Sequence, residues 1–160
     1  MNINKLELTW IGKEKKPKLE PRVLIEDFEK SYYAEQRVSE KDIYDNMLIF
    51  GDNLLALKAL ETEYTGKVKC IYLDPPFNTG HAFSQYDDNI EHSIWLTLMY
   101  NRLLILSKLL SIEGTLWVEL DECEHAYCKV MLDEIMGRDN YLATIVYRRR
   151  MSQANLSSSI

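Results

Sequence analysis

Between residues 47 and 147, short apolar runs alternate with stretches of helical periodicity, and that alternation restricts the chain to an α/β architecture. Met47-Leu48-Ile49-Phe50 is a continuous apolar run, which predicts a strand covered on both faces. Gly51-Asp52-Asn53 breaks it, and Asp52 or Asn53 suits the cap of a helix starting at Leu54. That helix carries Leu54, Leu57, Leu60 and Tyr64 on one side and stops near Gly66. Residues 69–73, KCIYL, read as a second buried-type strand. Strand, helix and strand in so short a span predict a βαβ unit with parallel strands.

A long amphipathic helix is expected over residues 90–110, with Trp95, Leu98, Met99, Leu103, Leu106 and Leu110 at helical spacing. After Gly114, residues 115–120 (TLWVEL) predict a third strand. Asp121, with Glu124 three residues later, resembles a capping box. The helix it opens is expected to turn Cys123, Tyr127, Val130, Met131 and Ile135 inward and to end at Gly137. Residues 143–147, ATIVY, predict a fourth strand. Trp95 and Trp117 read as core residues. The fold class expected is α/β, a partial doubly wound and mostly parallel sheet. Four strands are few for such a sheet, so it reads as incomplete and the chain as a fragment.

Composition narrows what this fold can serve. The 160 residues are 46% hydrophobic and 28% charged, enough for a core and inconsistent with a disordered chain. A formal net charge of -6 excludes a wholly basic nucleic-acid coat, while leaving room for a local basic patch. Three cysteines at no metal-like spacing predict no metal site and fit a reducing cytoplasm. The most apolar stretch, residues 95–110, is broken by Asn101, Arg102 and Lys108, so no membrane span is expected. Three segments follow: an N-terminal arm over 1–46, a catalytic part over 47–150 and a polar end over 151–160. In the arm, the basic run at 13–18 reads as a solvated loop, and Val23, Leu24, Ile25 and Phe28 as anchors to the core.

The chemistry concentrates in Asp74-Pro75-Pro76-Phe77-Asn78-Thr79-Gly80, directly after the strand KCIYL. In open α/β sheets, ligands sit beyond the carboxyl ends of the strands, so the segment lies where a site belongs. Two prolines fix φ and remove two backbone donors, leaving a stiff turn that presents carbonyl oxygens. An amine-bearing planar base can stack on Phe77 while its amino hydrogens reach Asp74 and the Pro75 carbonyl. Those acceptors raise electron density on the amine nitrogen as it attacks an electrophile. The bland alternative is a strand-ending turn with a packed Phe77.

IYLDPPFNTG resembles the catalytic motif of amino-methylating DNA methyltransferases. The flanking segments resemble one branch, the beta-class adenine-specific enzymes that include the modification subunits of type III restriction systems. LTWIGK at 8–13, LIFGDNLLALKAL at 48–60, FSQYDD at 83–88, EHSIWLTLMYNRL at 91–103, GTLWVELDECE at 114–124 and MLDEIMGRDNYLATIVYRRR at 131–150 follow that pattern in order. The resemblance implies a Rossmann-like fold and methyl transfer from S-adenosylmethionine to the N6 amine of adenine in double-stranded DNA, within a restriction-modification system. It implies that Asp74 and the Pro75 carbonyl hold the amine, with Pro76 stiffening the turn, and that Phe77 stacks on a base flipped from the duplex. Many relatives carry Tyr where this chain has Phe77, which keeps the stacking face.

The same resemblance sets Asp52 and Asn53 beside the cofactor, with a helix cap as their other reading, and Asp74 and Pro75 as further cofactor contacts. Asn78 and Thr79 begin the loop after the turn. Phe83, Tyr86, Asp87 and Asp88 either line the base pocket or fasten that loop, and His81 reads as a solvated residue. Arg148, Arg149 and Arg150 either contact DNA phosphates or form a solvated basic end. Expected partners are double-stranded DNA, a restriction subunit and a second copy of the enzyme.

No G-x-G occurs among the six glycines. The beta class has its glycine-rich cofactor segment after the catalytic motif and beyond a recognition domain. The chain therefore reads as the N-terminal part of a longer enzyme and is expected to be inactive alone. A cytosine-N4 methyltransferase is the rival within enzymes, and Asp74, where many of those carry Ser, favours adenine. A non-catalytic module that binds DNA or a partner is the rival from another class.

Overall fold

The computed structural model describes residues 7–33, 36, 38–79 and 91–147. Its elements are α1 (Asn53–Tyr64), β1 (Val68–Leu73), α2 (His92–Leu109), β2 (Leu110–Val118) and α3 (Glu122–Met136), closed by a 3-10 turn at Arg138–Asn140. β1 and β2 pair in parallel, with Cys70 opposite Thr115 and Leu73 opposite Val118. The α/β class and a parallel sheet are as expected, but the βαβ unit is made by β1, α2 and β2 rather than by residues 47–50, α1 and β1.

The register is irregular between Val68 and Cys70, where β2 bulges. Gly114 makes the bulge possible: a Cβ there would come 2.7 Å from the Val68 carbonyl oxygen. β2 consequently starts at Leu110, five residues before the expected strand, and takes Leu110 out of the preceding helix.

Helix α2 is the hub, packed against α1, α3 and β2. Trp95, Leu96, Met99, Leu103, Ile105, Leu106 and Leu109 are all buried on it. A helix apolar on so wide a face is one enclosed by neighbours. Leu54 of α1 and Cys128 and Met131 of α3 complete the core. Ile71, Leu73, Leu116 and Val118 line the inner face of the sheet.

Four expectations need correction. Residues 47–50 form no strand: they make no ladder with β1 or β2, and Leu48 and Phe50 stand fully in solvent. Residues 143–147 likewise form none, and Ile145, Val146 and Tyr147 are exposed. Apolar runs state what a strand could bury, but a strand also needs a neighbour to accept its N–H and C=O groups. Thus the sheet has two strands among the described residues. Second, β1 is covered on one face only, because Cys70 and Tyr72 point away from the helices and stay exposed. Trp117 shares that bare face at 43% exposure and is not core, whereas Trp95 is fully enclosed. Third, α3 keeps Met131 and Ile135 inward as expected, but its first turns present a different face. Glu124, Cys128 and Met131 point inward, at i, i+4 and i+7, while Cys123 and Tyr127 are exposed.

Fourth, the arm is anchored by other residues. Val23, Ile25 and Phe28 are exposed. Trp10 instead donates its indole Nε1–H to Thr97 Oγ1 at 2.8 Å and meets Tyr100 edge-on at 5.4 Å. Lys13 is not solvated: its Nζ donates to the Leu8 carbonyl at 2.7 Å and to Glu134 at 2.8 Å, beneath the Trp10 ring. Burial would lower its pKa, but the Glu134 and Glu7 carboxylates outweigh that and hold it above the ordinary lysine value.

Candidate functional site

The 74–79 segment leaves the carboxyl end of β1 and is fastened from two helices. Trp95 of α2 donates its indole Nε1–H to the Pro76 carbonyl at 2.7 Å. Asn78, in the left-handed region at φ 59°, donates its side-chain amide to Glu124 Oε1 of α3 at 2.6 Å. Asparagine is one of the few residues that adopts that backbone readily. Pro75 is buried, Pro76 and Phe77 are half-buried, and Asp74 is exposed.

Two groups in this pinned turn remain unused. Among the described residues, neither the Asp74 carboxylate nor the Pro75 carbonyl takes part in a hydrogen bond. The prolines explain why. A carboxylate beginning a turn ordinarily accepts the backbone N–H two residues on, and here that residue is Pro76, which has none. The result is two successive acceptors followed in the chain by the half-buried Phe77, with no bond among the described residues to consume them. Such an arrangement suits an amine carried on a flat ring.

The second acidic turn behaves differently. Asp52 Oδ1 accepts the backbone N–H groups of Leu54 and Leu55 at 3.0 and 3.1 Å, capping α1. Its Oδ2 lies 3.9 Å from Arg102 Nη2, and Asn53 Oδ1 accepts from Arg102 Nε at 2.6 Å. Burial lowers the Arg102 pKa and the Asp52 carboxylate opposes that. Arg102 and Trp95 are seven residues apart on α2, two turns and about 10 Å at 1.5 Å rise per residue. One helix thus holds both acidic turns.

Near the ends of the strands, the Tyr72 hydroxyl bonds Glu119, which raises the tyrosine pKa. Glu119 N–H also continues the ladder onto the Leu73 carbonyl at 2.9 Å. Asp121 caps α3 as expected, accepting the Cys123 N–H at 2.8 Å. Glu124, however, does not return to the cap. It is 2% exposed, and its Oε1 takes Asn78 and, at 2.9 Å, His92 Nδ1. Sequence reasoning missed Glu124 as a site residue because S/T/D-x-x-E reads locally as a capping box. A signal was present, since Glu124 shares a face with Cys128 and Met131.

Phe83, Tyr86, Arg148 and Arg149 lie outside the described residues, as do His81, Asp87, Asp88 and Arg150. The described residues contain no cluster of His, Cys, Asp and Glu able to hold a metal ion and no helix long and apolar enough to cross a membrane. A cleft of about 410 Å³ opens between residues 45–49 and Leu60, Tyr64, Val68 and Leu109. It adjoins the beginning of β1, the end opposite the Asp74 turn.

Residues 68–159 match the family model described as DNA methylase. The chain is 42% identical over 123 residues to a probable type III restriction-modification enzyme, the HindVI Mod subunit of Haemophilus influenzae, covering 77% of the chain and 16% of that subunit. It is 30% identical over 166 residues to the StyLTI Mod subunit of a type III restriction-modification enzyme from Salmonella typhimurium, covering 86% and 25%. The type II methyltransferase M.EcaI of Enterobacter cloacae is 37% identical over 119 residues, covering 71% and 26%. The chain therefore spans about a quarter or less of the length of these relatives.

Proposed function

The chain belongs to the DNA methylase family, and from that premise we propose that it is the amine-binding part of an enzyme that methylates adenine N6 in double-stranded DNA, within a type III restriction-modification system. The observation that carries this reading is the unused acceptor pair, the Asp74 carboxylate and the Pro75 carbonyl, next to Phe77 in the chain, in a turn fastened at the Pro76 carbonyl and the Asn78 side chain. Both hydrogens of an exocyclic amine are accepted there, which leaves the nitrogen lone pair for the incoming methyl carbon. Once the N–C bond forms, the surplus proton on the amine leaves past exposed Asp74 to water.

Phe77 stacks on the flipped base, a contact worth roughly 1–3 kcal/mol that offsets part of the unstacking cost. Asp74, where an N4-type enzyme often carries Ser, favours adenine over cytosine. The methyl donor we assign is S-adenosylmethionine, which would supply an electrophilic methyl group on a sulfonium sulfur and keep the electron pair of the broken C–S bond as a neutral thioether. Asp52 fits part of it: one oxygen is spent on the helix cap, and the other, 3.9 Å from Arg102 Nη2, has room to accept from ribose hydroxyls as well. Asn78, Thr79, Phe83, Tyr86, Arg148 and Arg149 remain proposed contacts to the base and the DNA backbone. The Mod-subunit relatives support a restriction subunit as partner, and a second copy of the enzyme is proposed with it.

The test supplies the rest of the enzyme in trans. The chain is co-expressed with the C-terminal remainder of the Haemophilus Mod subunit, and transfer of labelled methyl groups to duplex DNA is followed by nucleoside analysis. N6-methyladenine is the expected product. N4-methylcytosine would reassign the substrate, and a folded, DNA-bound complex that methylates neither base would overturn the reading.

A further inference from the structure

We infer that Glu124 is a positioning residue for the methylation site, holding the Asp74 turn in place through Asn78. This rests on the amine-binding reading of that turn. Glu124 is almost completely enclosed, yet Oε2 has no hydrogen-bond partner, while Oε1 serves both Asn78 and His92. To bond a carboxylate, His92 Nδ1 must carry a proton. A carboxylate buried with an unfilled oxygen costs stability, and an apolar side chain of similar size would pack here without that cost. The usual use of a glutamate three residues into a helix, closing the cap, is not what this one does.

What the carboxylate does accomplish is local. Asn78 follows Phe77 directly, so fixing its amide fixes where the aromatic ring and the Pro75 and Pro76 carbonyls stand. Trp95 fixes the Pro76 carbonyl from α2, and Glu124 fixes Asn78 from α3. The turn is thereby held at two points, with the groups assigned to the amine beside them. Reacting groups displaced by about 1 Å lose on the order of a hundredfold in rate.

The test uses the co-expressed enzyme for activity and the folded chain for the indole N–H resonance of Trp95. Glu124→Ala should lower kcat by roughly a hundredfold, change KM for DNA little, and shift the Trp95 indole resonance. Glu124→Gln keeps an acceptor for Asn78 and should restore most of the rate. Asn78→Gly, which allows the left-handed backbone and removes only the amide, should reproduce the loss, and the double variant should be no worse than either single one. A folded Glu124→Ala enzyme with normal kcat and an unmoved indole resonance would overturn the inference. So would a Glu124→Gln enzyme as impaired as the alanine variant, or an Asn78→Gly enzyme at full rate should Glu124→Ala not fold. Asp74→Ala, run alongside, separates the two claims: full activity there defeats the amine-binding reading whatever Glu124 does.

Discussion

Asp52 and Asp74 each follow an apolar run, and each stands in a turn tied to α2, yet they put their carboxylates to opposite uses. Asp52 is followed by Leu54 and Leu55, whose N–H groups begin a helix and consume one of its oxygens. Asp74 is followed by two prolines, which offer no N–H, and its carboxylate remains available. An acidic residue after an apolar run is thus committed to the fold or released from it by the donors of the next few residues. In the 51–53 turn the acid is a structural part; in the 74–78 turn the structure is supplied by Trp95 and Glu124 instead.

That contrast can be broken at several points. The largest effect on stability is expected from Trp95→Phe, which keeps most of the ring volume and removes the donor to Pro76. Stability should fall by about 1–3 kcal/mol, the cost of an orphaned carbonyl, and methyl transfer by roughly tenfold or more through turn displacement. Urea unfolding and a methylation assay read the two losses. An unchanged midpoint would show that the Pro76 carbonyl is not held by the indole.

Asp52→Ala should cost about 1 kcal/mol, the usual value for a lost N-cap, read as a lower unfolding midpoint of the chain. A midpoint unchanged from the parent would mean that the cap does no structural work and would erase the difference between the two turns. Pro76→Ala gives Asp74 the donor it lacks. The backbone amide that this substitution creates should exchange slowly as it bonds the carboxylate, and methylation should fall by about tenfold, the effect of a differential interaction near 1.4 kcal/mol. Fast exchange of that amide would show that the proline is not what keeps Asp74 available.

The smallest effect concerns groups that the fold claims or leaves open in the same way. Cys128 is buried, and burial, followed by the nearby Glu124 charge, pushes its pKa to about 12, whereas Cys70 and Cys123 are exposed. Two thiols should react with a disulfide reagent at pH 8 and the third only after unfolding. Because the Cys128 pKa is raised in the folded chain, its contribution to stability is whole below the ordinary thiol pKa. It is lost as pH climbs from about 9 towards 12. Three fast thiols in the folded chain would contradict the burial of Cys128.

The helices, the strands KCIYL and TLWVEL and the proline turn were legible in the residues, because each is marked by local chemistry: periodicity, caps and fixed φ; which strand KCIYL pairs with was not, since the expected partner was residues 47–50. Residues 47–50 and 143–147 look equally strand-like, but pairing depends on a neighbour that no local pattern announces. The role of Glu124 was hidden for the opposite reason, since a local motif accounted for it before its tertiary partners were known. Lys13 was hidden by its basic neighbours, since one of the carboxylates that hold it, Glu134, lies 121 residues away in the chain.

Everything proposed for the 74–78 turn depends on Asp74 being released from the fold for chemistry, and the decisive quantity is methyl transfer by Asp74→Ala per folded molecule. The expected result is an unfolding midpoint equal to that of the parent chain, with N6-adenine methylation lowered by about a thousandfold in the co-expressed enzyme, a loss near 4 kcal/mol of transition-state stabilisation. A variant that methylates adenine at the parent rate, or that loses activity only in proportion to lost stability, would contradict it.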